Sequence, residues 1–453
     1  MSSNQHLEII PSNITSDGKL SFRNGQPVVQ FIIGEQERYL IGQSLRITGK
    51  LTCFSADGTI STSAVGLRMN EQLGIYSVFN ELHISSQKTA QNIETIRHYP
   101  RMMSSYLGVT SSLQDGISHL NETALIDMNF ASQQRGVVEN PTQLNASGGN
   151  SFCAPLVCGL LNGTAPIPLS GAWGVGGLDI SVHLAPDSNV FFSSASATSG
   201  ISGCFYELSD VKLCCEVIRP APDQLSQLMK QTQNVFEYNS IVSQFNTINS
   251  RNGVLNFPLG VKNCMGVFIN FVPASHINNL AFDGTATLPP TNSDGTAAEV
   301  TQLVFTRGGE RFPLEYNVDT IQKDDADNIT MDSQLVRNYM NAVMGFAKIE
   351  RTNVSPYNNF YEDYSDGTNS YLFAKEVIEG GVKFGVGVNY DQISGEGVSF
   401  QDVPFGLQML SDITSDSPQG VYLFAHCKNT VVSSSQGIQV ISCLLYTSPS
   451  PRD

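Results

Sequence analysis

The sequence has few charged residues and is especially poor in basic ones. Among its 453 residues, charged side chains make up 15%, and 25 Lys and Arg face 41 Asp and Glu, for a formal net charge of −16. Soluble domains typically carry about 25% charged residues. Because nucleic-acid affinity depends on clustered Lys and Arg that release counterions from phosphates, this balance argues against a nucleic-acid-binding chain. We therefore expect no direct contact with nucleic acid.

Long apolar runs and a cysteine framework are also missing. No stretch approaches the roughly 20 apolar residues that span a bilayer. Residues 1–10 lack the basic flank and apolar core of a secretory signal. The nine cysteines are spread without a regular rhythm, which favours reduced thiols and folding in the cytosol. We expect a soluble chain without a membrane span.

The abundant residues favour β structure. Hydrophobic residues make up 41% of the chain and Gly occupies 39 positions, a balance typical of folded chains. Apolar residues recur at every second position in short runs, which predicts strands with one face on a core. The predicted strands are residues 27–33, 44–54, 76–84, 178–184, 204–218, 240–248, 253–259, 266–272, 371–373, 382–388, 421–426 and 437–441. Short strands separated by turns predict β-sandwiches.

Helical spacing interrupts the strands twice. Residues 220–238 begin with two prolines, which a first helical turn tolerates, and residues 332–348 carry a second apolar stripe. The apolar residues at helical spacing in the first segment are Leu225, Leu228, Met229, Val235 and Phe236. We predict a helix in each segment.

The length of the chain predicts two domains, since all-β domains reach about 200–250 residues. We predict a first β domain at residues 25–219, a linker helix at 220–238 and a second β domain at 239–442, preceded by an N-terminal arm at 1–24. Two long segments rich in turn residues, 140–177 and 273–299, are predicted loops.

The last eleven residues, 443–453, resemble a translated sequencing-library adapter. They read CLLYTSPSPRD. We therefore expect this tail to be non-native and exclude it from the fold.

Two segments could be mistaken for ligand-binding loops. The glycine-rich residues 171–177 lead into a predicted strand, so no helix N-terminus follows to receive a phosphate. The acidic residues 324–328 lack the spacing of a calcium loop, because Ile329 and Met331 stand where oxygen ligands belong. We predict a solvated loop there and no cofactor site.

Metal-binding and catalytic patterns are missing as well. The seven histidines show no His-x-x-x-His pair and no Cys-x-x-Cys partner; they are His6, His83, His98, His119, His183, His276 and His426. The nucleophile pattern Gly-x-Ser-x-Gly does not occur. We predict no catalytic, cofactor-binding or metal-binding residues, and no enzyme activity.

Four segments in order resemble the double jelly-roll major capsid proteins of polinton-like viruses and virophages. The first is the strand LRITGKLT at 45–52. The second runs from 74 to 99 and includes the pattern Ile-Glu-x-Ile-x-x-Tyr, from Ile93 to Tyr99. The third, YELSDVKL at 206–213, precedes the linker helix. The fourth is RFPLEY at 311–316, after a Gly-Gly turn.

The resemblance implies an all-β fold of two consecutive eight-stranded antiparallel jelly rolls joined by a helical linker. It also implies a major capsid protein of a eukaryotic DNA virus or virus-like element. Such a chain would form homotrimeric, pseudo-hexameric capsomers that tile an icosahedral shell. Neighbouring capsomers and minor capsid and vertex (penton) proteins would be its partners, and it would enter the virion after assembly in the host cytoplasm or nucleus.

In that arrangement, both predicted loops would lie on the outer face of the shell. The arm at 1–24 would point inward or toward a neighbouring subunit. A low charged content suits a chain that buries large surfaces against other subunits, and a closed trimer does not extend into fibres.

Two other functions are compatible with β-sandwich domains. A carbohydrate-binding or carbohydrate-cleaving protein would use exposed aromatic residues near acids, and residues 357–364, YNNFYEDY, form one such cluster. We favour a subunit contact as the role of that cluster. A spike or fibre protein would more often show repeats or a stalk, and we find none in the sequence.

Overall fold

The protein is described here by a computed structural model. It describes residues 4–14, 17–23, 25–58, 67–69, 73–110, 138–139, 150–193, 196–200, 203–274, 277–278, 280, 300–312, 321–323, 329–331, 363–365, 370–372, 386–391, 397–411, 418–434 and 437–441. The helix predicted at 332–348, the acidic segment 324–328 and the adapter-like tail 443–453 lie outside these ranges.

The first half of the chain contains fourteen described strands. They are β1 Asn4–Ile9, β2 Lys19–Leu20, β3 Val28–Ile33, β4 Tyr39–Phe54, β5 Leu67–Met69, β6 Phe79–Ser86, β7 Asn92–Ile96, β8 Val138–Glu139, β9 Asn150–Pro155, β10 Ile167–Pro168, β11 Leu178–Leu184, β12 Phe192–Ser193, β13 Ser196–Gly200 and β14 Phe205–Ile218. The helices of this half are a 3₁₀ helix at Gly74–Val78, α1 Tyr99–Thr110, α2 Gly159–Asn162 and α3 Asp187–Val190.

The second half follows helix α4, Pro222–Lys230. Its described strands are β15 Gln233–Ile248, β16 Asn252–Phe257, β17 Cys264–Pro273, β18 Val300–Arg307, β19 Glu310–Arg311, β20 Ile321–Lys323, β21 Ile329–Met331, β22 Asp363–Ser365, β23 Ser370–Leu372, β24 Val386–Asn389, β25 Phe405–Ser411, β26 Gln419–Ser434 and β27 Gly437–Ile441.

Each half contains two main antiparallel sheets. In the first half, sheet 1 has the order β1-β14-β4-β10, with β2 and β9 attached, and sheet 2 has the order β3-β11-β6-β7. In the second half, sheet 3 has the order β15-β26-β17-β24 with β27 attached, and sheet 4 has the order β16-β25-β18-β19. A smaller sheet, β13-β12-β5-β8, and two short hairpins complete the described strands.

Alternating side chains build the core of the first half. Along β11, residues at every second position are buried and the others are partly exposed, as a strand with one face on the core requires. Ile180 and Val182 of sheet 2 join Leu51 and Leu213 of sheet 1 in one apolar cluster. The period-two pattern of the sequence thus predicted correctly which face of these strands is buried.

The predicted linker helix is correct only at its start. Helix α4 ends at Lys230, and β15 begins at Gln233, so Val235 and Phe236 lie in a strand. The sixteen residues of β15 pair with β26 along its whole length. A β-branched and an aromatic residue fit that long pairing better than a helix end.

The loop predicted at 140–177 is wrong over its described part. Residues 150–177 contain β9, α2 and β10, and Leu161 and Leu169 are fully buried. The turn residues here connect short elements that fold back against β4. This segment therefore belongs to the core of the first half rather than to an outward loop, whereas residues 281–299 of the other predicted loop lie outside the described ranges.

The start of the chain and residues 76–78 also differ from expectation. Strand β1 lies in the segment predicted as a free arm, yet it pairs with β14 of its own chain from Asn4 to Ile9. Residues 76–78, predicted as strand, end the 3₁₀ helix that precedes β6. The first half thus uses residues 4–9 as an edge strand of sheet 1.

Candidate functional site at the junction of the two halves

Strand β26 is buried on both faces because it lies between the two halves and packs against both. Tyr422 and Phe424 join the apolar cluster of the first half, whereas Leu423 and Ala425 join a separate cluster inside the second half. Neighbouring residues of a strand point to opposite faces. Sheet 3 therefore covers the core of the second half with one face and packs against the first half with the other.

Glu94 is the polar centre of this junction. It lies in β7 with 2% of its surface exposed. Its Oε1 accepts hydrogen bonds from the backbone N–H groups of Gly159 (3.0 Å) and Ile241 (2.6 Å), and its Oε2 accepts one from Leu160 (2.8 Å). One carboxyl group thus connects β7, the start of α2 and strand β15 of the second half.

Burial raises the pKa of Glu94, because removal from water penalises the charged form. The backbone N–H groups of Leu160, Ile241 and Gly159 act in the opposite direction, as does the Cys158 side chain. Three backbone donors would otherwise be left unsatisfied in the interior. The carboxyl group therefore serves as a structural acceptor.

Further contacts cross the junction on either side of Glu94. The Tyr238 hydroxyl donates to the Ile93 carbonyl (2.9 Å), and the Arg97 N–H donates to Ser243 Oγ (2.8 Å). The ring of His98 lies 5.0 Å from that of Tyr422. These contacts connect β15 and β26 of the second half to residues 93–98 of the first half.

Close backbone approach completes the junction. A Cβ atom at Gly159 would lie 2.5 Å from the Cα of Ser240, a distance that atoms do not tolerate. Gly159 therefore allows the start of α2 to reach β15. Tyr99 supports the same region by accepting a hydrogen bond from the Val157 N–H (2.8 Å).

The Ile-Glu-x-Ile-x-x-Tyr pattern quoted from the sequence is this junction segment. Ile93 and Ile96 are buried, and Glu94 and Tyr99 accept backbone hydrogen bonds in the interior. The sequence showed the pattern but not the partners of the two polar side chains. Those partners come from segments about 60 to 150 residues away.

The glycine-rich residues 171–177 form a packed turn. Gly171 donates its N–H to Glu35 Oε1 (2.9 Å), and Gly177 donates to the Leu169 carbonyl (2.9 Å). Gly176 and Gly177 have φ angles of 72° and 75°, a conformation that favours glycine. The N–H groups of Gly171, Gly176 and Gly177 therefore donate to acceptors within the protein.

The other sequence candidates are dispersed. His426 is buried in β26 and His6 lies beside Glu216 on sheet 1, while His119 and His276 lie outside the described residues. Of the aromatic and acidic cluster at 357–364, the structure describes only Asp363 and Tyr364, in β22. It thus offers no geometry for the carbohydrate alternative.

One cluster was missed by the sequence analysis. Glu81, His83 and His183 bring their polar side-chain atoms within 4.8 Å of one another on sheet 2. His83 Nε2 lies 2.9 Å from Glu81 Oε2, and the two imidazole rings are 4.4 Å apart. The Glu-x-His spacing on a strand was visible in the sequence, but the pairing of β6 with β11 was not.

No described helix is long and apolar enough to cross a membrane. The sequence matches no protein-family model, and no curated protein matches it.

Solved structures match nearly the whole chain. The capsid of the virus PBCV-1 matches with a TM-score of 0.55 and 10% identity, over 97% of this chain and 96% of that one. The Faustovirus major capsid protein matches with a TM-score of 0.53 and 10% identity, over 95% and 90%. The Sputnik virophage structure matches with a TM-score of 0.52 and 11% identity, over 98% and 89%. The chain has the double jelly-roll fold.

This result confirms the fold class and the resemblance proposed from the sequence. At 10–11% identity the matches establish the fold alone. In the double jelly roll, strand β26 lies where the two halves join, and Glu94 is the polar group that crosses this contact.

Proposed function

We propose that the chain is a major capsid protein of a eukaryotic DNA virus or virus-like element, and that it forms pseudo-hexameric homotrimers that tile an icosahedral shell. The observation that carries this proposal is the match over at least 95% of the chain to capsid proteins of PBCV-1, Faustovirus and Sputnik virophage.

The geometry of the junction suits such a role. Packing through Tyr422 and Phe424 and the hydrogen bonds of Glu94 hold two β halves side by side within one chain. Three chains of this kind close into a ring of six similar β units, and closed rings do not grow into fibres. Because the two halves of each chain are held in one arrangement, every ring has the same outline. Regular tiling of a shell requires such a constant outline.

The proposed partners follow from this role. Neighbouring capsomers and minor capsid and vertex (penton) proteins would contact the trimer in the virion, after assembly in the host cytoplasm or nucleus. The net charge of −16 disfavours direct binding to the genome, since like charges repel. A separate basic component would neutralise the nucleic acid.

The oligomeric state of the expressed chain tests this proposal. Size-exclusion chromatography with light scattering is expected to give a particle of three times the 49.1 kDa chain mass, and electron microscopy to show a hexagonal outline. Obligate interfaces commonly bury more than about 2,000 Å², so the trimer should persist on dilution. A chain that remains monomeric at every concentration and binds a carbohydrate column would contradict the proposal.

A further inference from the structure

Three metal-ligand side chains lie together on the partly exposed face of sheet 2. Glu81 and His83 are two residues apart in β6, so they project from the same face. His183 of β11 is paired directly with Glu81. The intervening residues Leu82 and Val182 are buried in the core, and this packing holds both strands in place beneath the cluster.

The distances suit a small transition-metal ion. Zinc binds histidine nitrogen and carboxylate oxygen at about 2.0–2.2 Å, which places neighbouring tetrahedral ligands about 3.3 Å apart. The Nε2 of His83 and the Oε2 of Glu81 are 2.9 Å apart, and all three ligand atoms lie within 4.8 Å of one another. Small rotations of these partly exposed side chains would bring the set to tetrahedral spacing.

A neighbouring strand orients one of the two imidazoles. The Nδ1 of His83 lies 3.5 Å from Thr95 Oγ1 on β7, and the Thr95 hydroxyl donates to Asn92 Oδ1 at 2.9 Å. Because that hydroxyl proton is used, the Thr95 oxygen faces His83 as an acceptor. The contact turns Nδ1 toward Thr95 and leaves Nε2, which lies 2.9 Å from Glu81 Oε2, on the side of the cluster. A bound metal ion would displace the proton between Nε2 and Glu81 Oε2, and Nδ1 would keep the outer hydrogen bond that metal-binding histidines commonly have.

We propose that Glu81, His83 and His183 bind one divalent transition-metal ion, with zinc as the preferred ion. The ligands are Oε2 of Glu81, Nε2 of His83 and a ring nitrogen of His183, and a water molecule takes the fourth position. Two histidines and one carboxylate are an established zinc-ligand set. The ion links β6 to β11 on the partly exposed face of sheet 2.

The electrostatic surroundings favour a bound cation. A neutral imidazole is the form that binds metals. The ion would also replace the contact of His83 with Glu81 by two stronger bonds to the metal, and the net charge of −16 attracts cations to the chain.

Metal titration of the full-length chain tests this inference and does not depend on assembly. After removal of metal, Zn²⁺ is expected to bind with one ion per chain and to raise the melting temperature. Co²⁺ is expected to give the visible spectrum of a site with nitrogen and oxygen ligands. His183→Gln and His83→Gln should each weaken Zn²⁺ affinity at least about tenfold, and Thr95→Val about 10- to 100-fold through the orientation of His83.

The matched control is His6→Gln, because His6 also lies beside a carboxylate, Glu216 at 3.7 Å, but has no second histidine there among the described residues. This variant should keep full Zn²⁺ affinity. The melting temperature of each metal-free variant shows whether it folds. Unchanged Zn²⁺ affinity in folded His83→Gln and His183→Gln, or a Co²⁺–thiolate band that disappears in Cys153→Ser, would overturn the proposal.

Discussion

At the residue scale, the junction depends on a single buried acid. Glu94 satisfies three backbone N–H groups that belong to two distant segments, α2 and β15. A buried donor without a partner costs about 1–3 kcal/mol. By accepting from these donors, the Glu94 side chain removes that free-energy cost at the start of α2 and in β15. The same hydrogen bonds connect the two halves.

Replacement of Glu94 should therefore destabilise the protein strongly. We expect Glu94→Ala to lower the free energy of unfolding by about 3 kcal/mol or more, because three buried donors lose their acceptor. Glu94→Gln should cost about 1–3 kcal/mol, because its amide nitrogen can no longer accept from one of them. Urea unfolding followed by fluorescence measures both.

The control for these variants is Glu237→Gln in β15, where the side chain is exposed. Surface substitutions usually change stability by less than about 0.5 kcal/mol. Equal midpoints for Glu94→Ala and Glu237→Gln would show that the carboxyl group does not support the junction.

At the scale of elements, β26 has two roles because its two faces pack against different halves. Phe424 is paired with Phe268 of β17 on the face toward the first half. Leu423 lies on the other face, inside the second half. Substitutions at these adjacent positions should therefore affect different properties of the molecule.

Calorimetry of two variants separates these roles. We expect the native chain to unfold in one transition, and Phe424→Ala, which typically costs about 3–5 kcal/mol, to split it as the halves uncouple. Leu423→Ala should lower the melting temperature by about as much while a single transition remains, because the contact face is intact. Identical calorimetric unfolding curves for the two variants would contradict the separate roles of the two faces of β26.

At the scale of the whole molecule, the charge balance restricts possible partners. The chain carries 41 acidic against 25 basic residues, and phosphate contacts require clustered cations. Contacts of this chain with its partners would then depend on the complementary shape of the two surfaces more than on their charge.

The purified chain is therefore expected not to bind duplex DNA. In an electrophoretic mobility assay at about 50 mM salt, where phosphate contacts are strong, the mobility of DNA should not change at micromolar protein. A histone under the same conditions serves as the positive control. A shift that disappears at higher salt would show a basic surface that the overall composition conceals.

The sequence predicted much of the β structure but fewer of its connections. Period-two patterns located strands such as β3, β11 and β14 to within one or two residues, because one buried face imposes that period. The helix was extended too far, beyond Lys230, and residues 150–177 were mistaken for a loop. Both errors arose where pairing with a distant strand, β26 or β4, decided the conformation.

Composition and periodicity by themselves determined that this chain is an acidic, all-β protein with two halves, since those properties depend on residue type and local spacing. Only the tertiary structure decided that Glu94 reaches α2 and β15, and that Glu81, His83 and His183 meet on sheet 2. Strand register and packing between sheets bring together residues about 65 to 150 positions apart. Local sequence does not encode such register, because it depends on the pairing of whole strands.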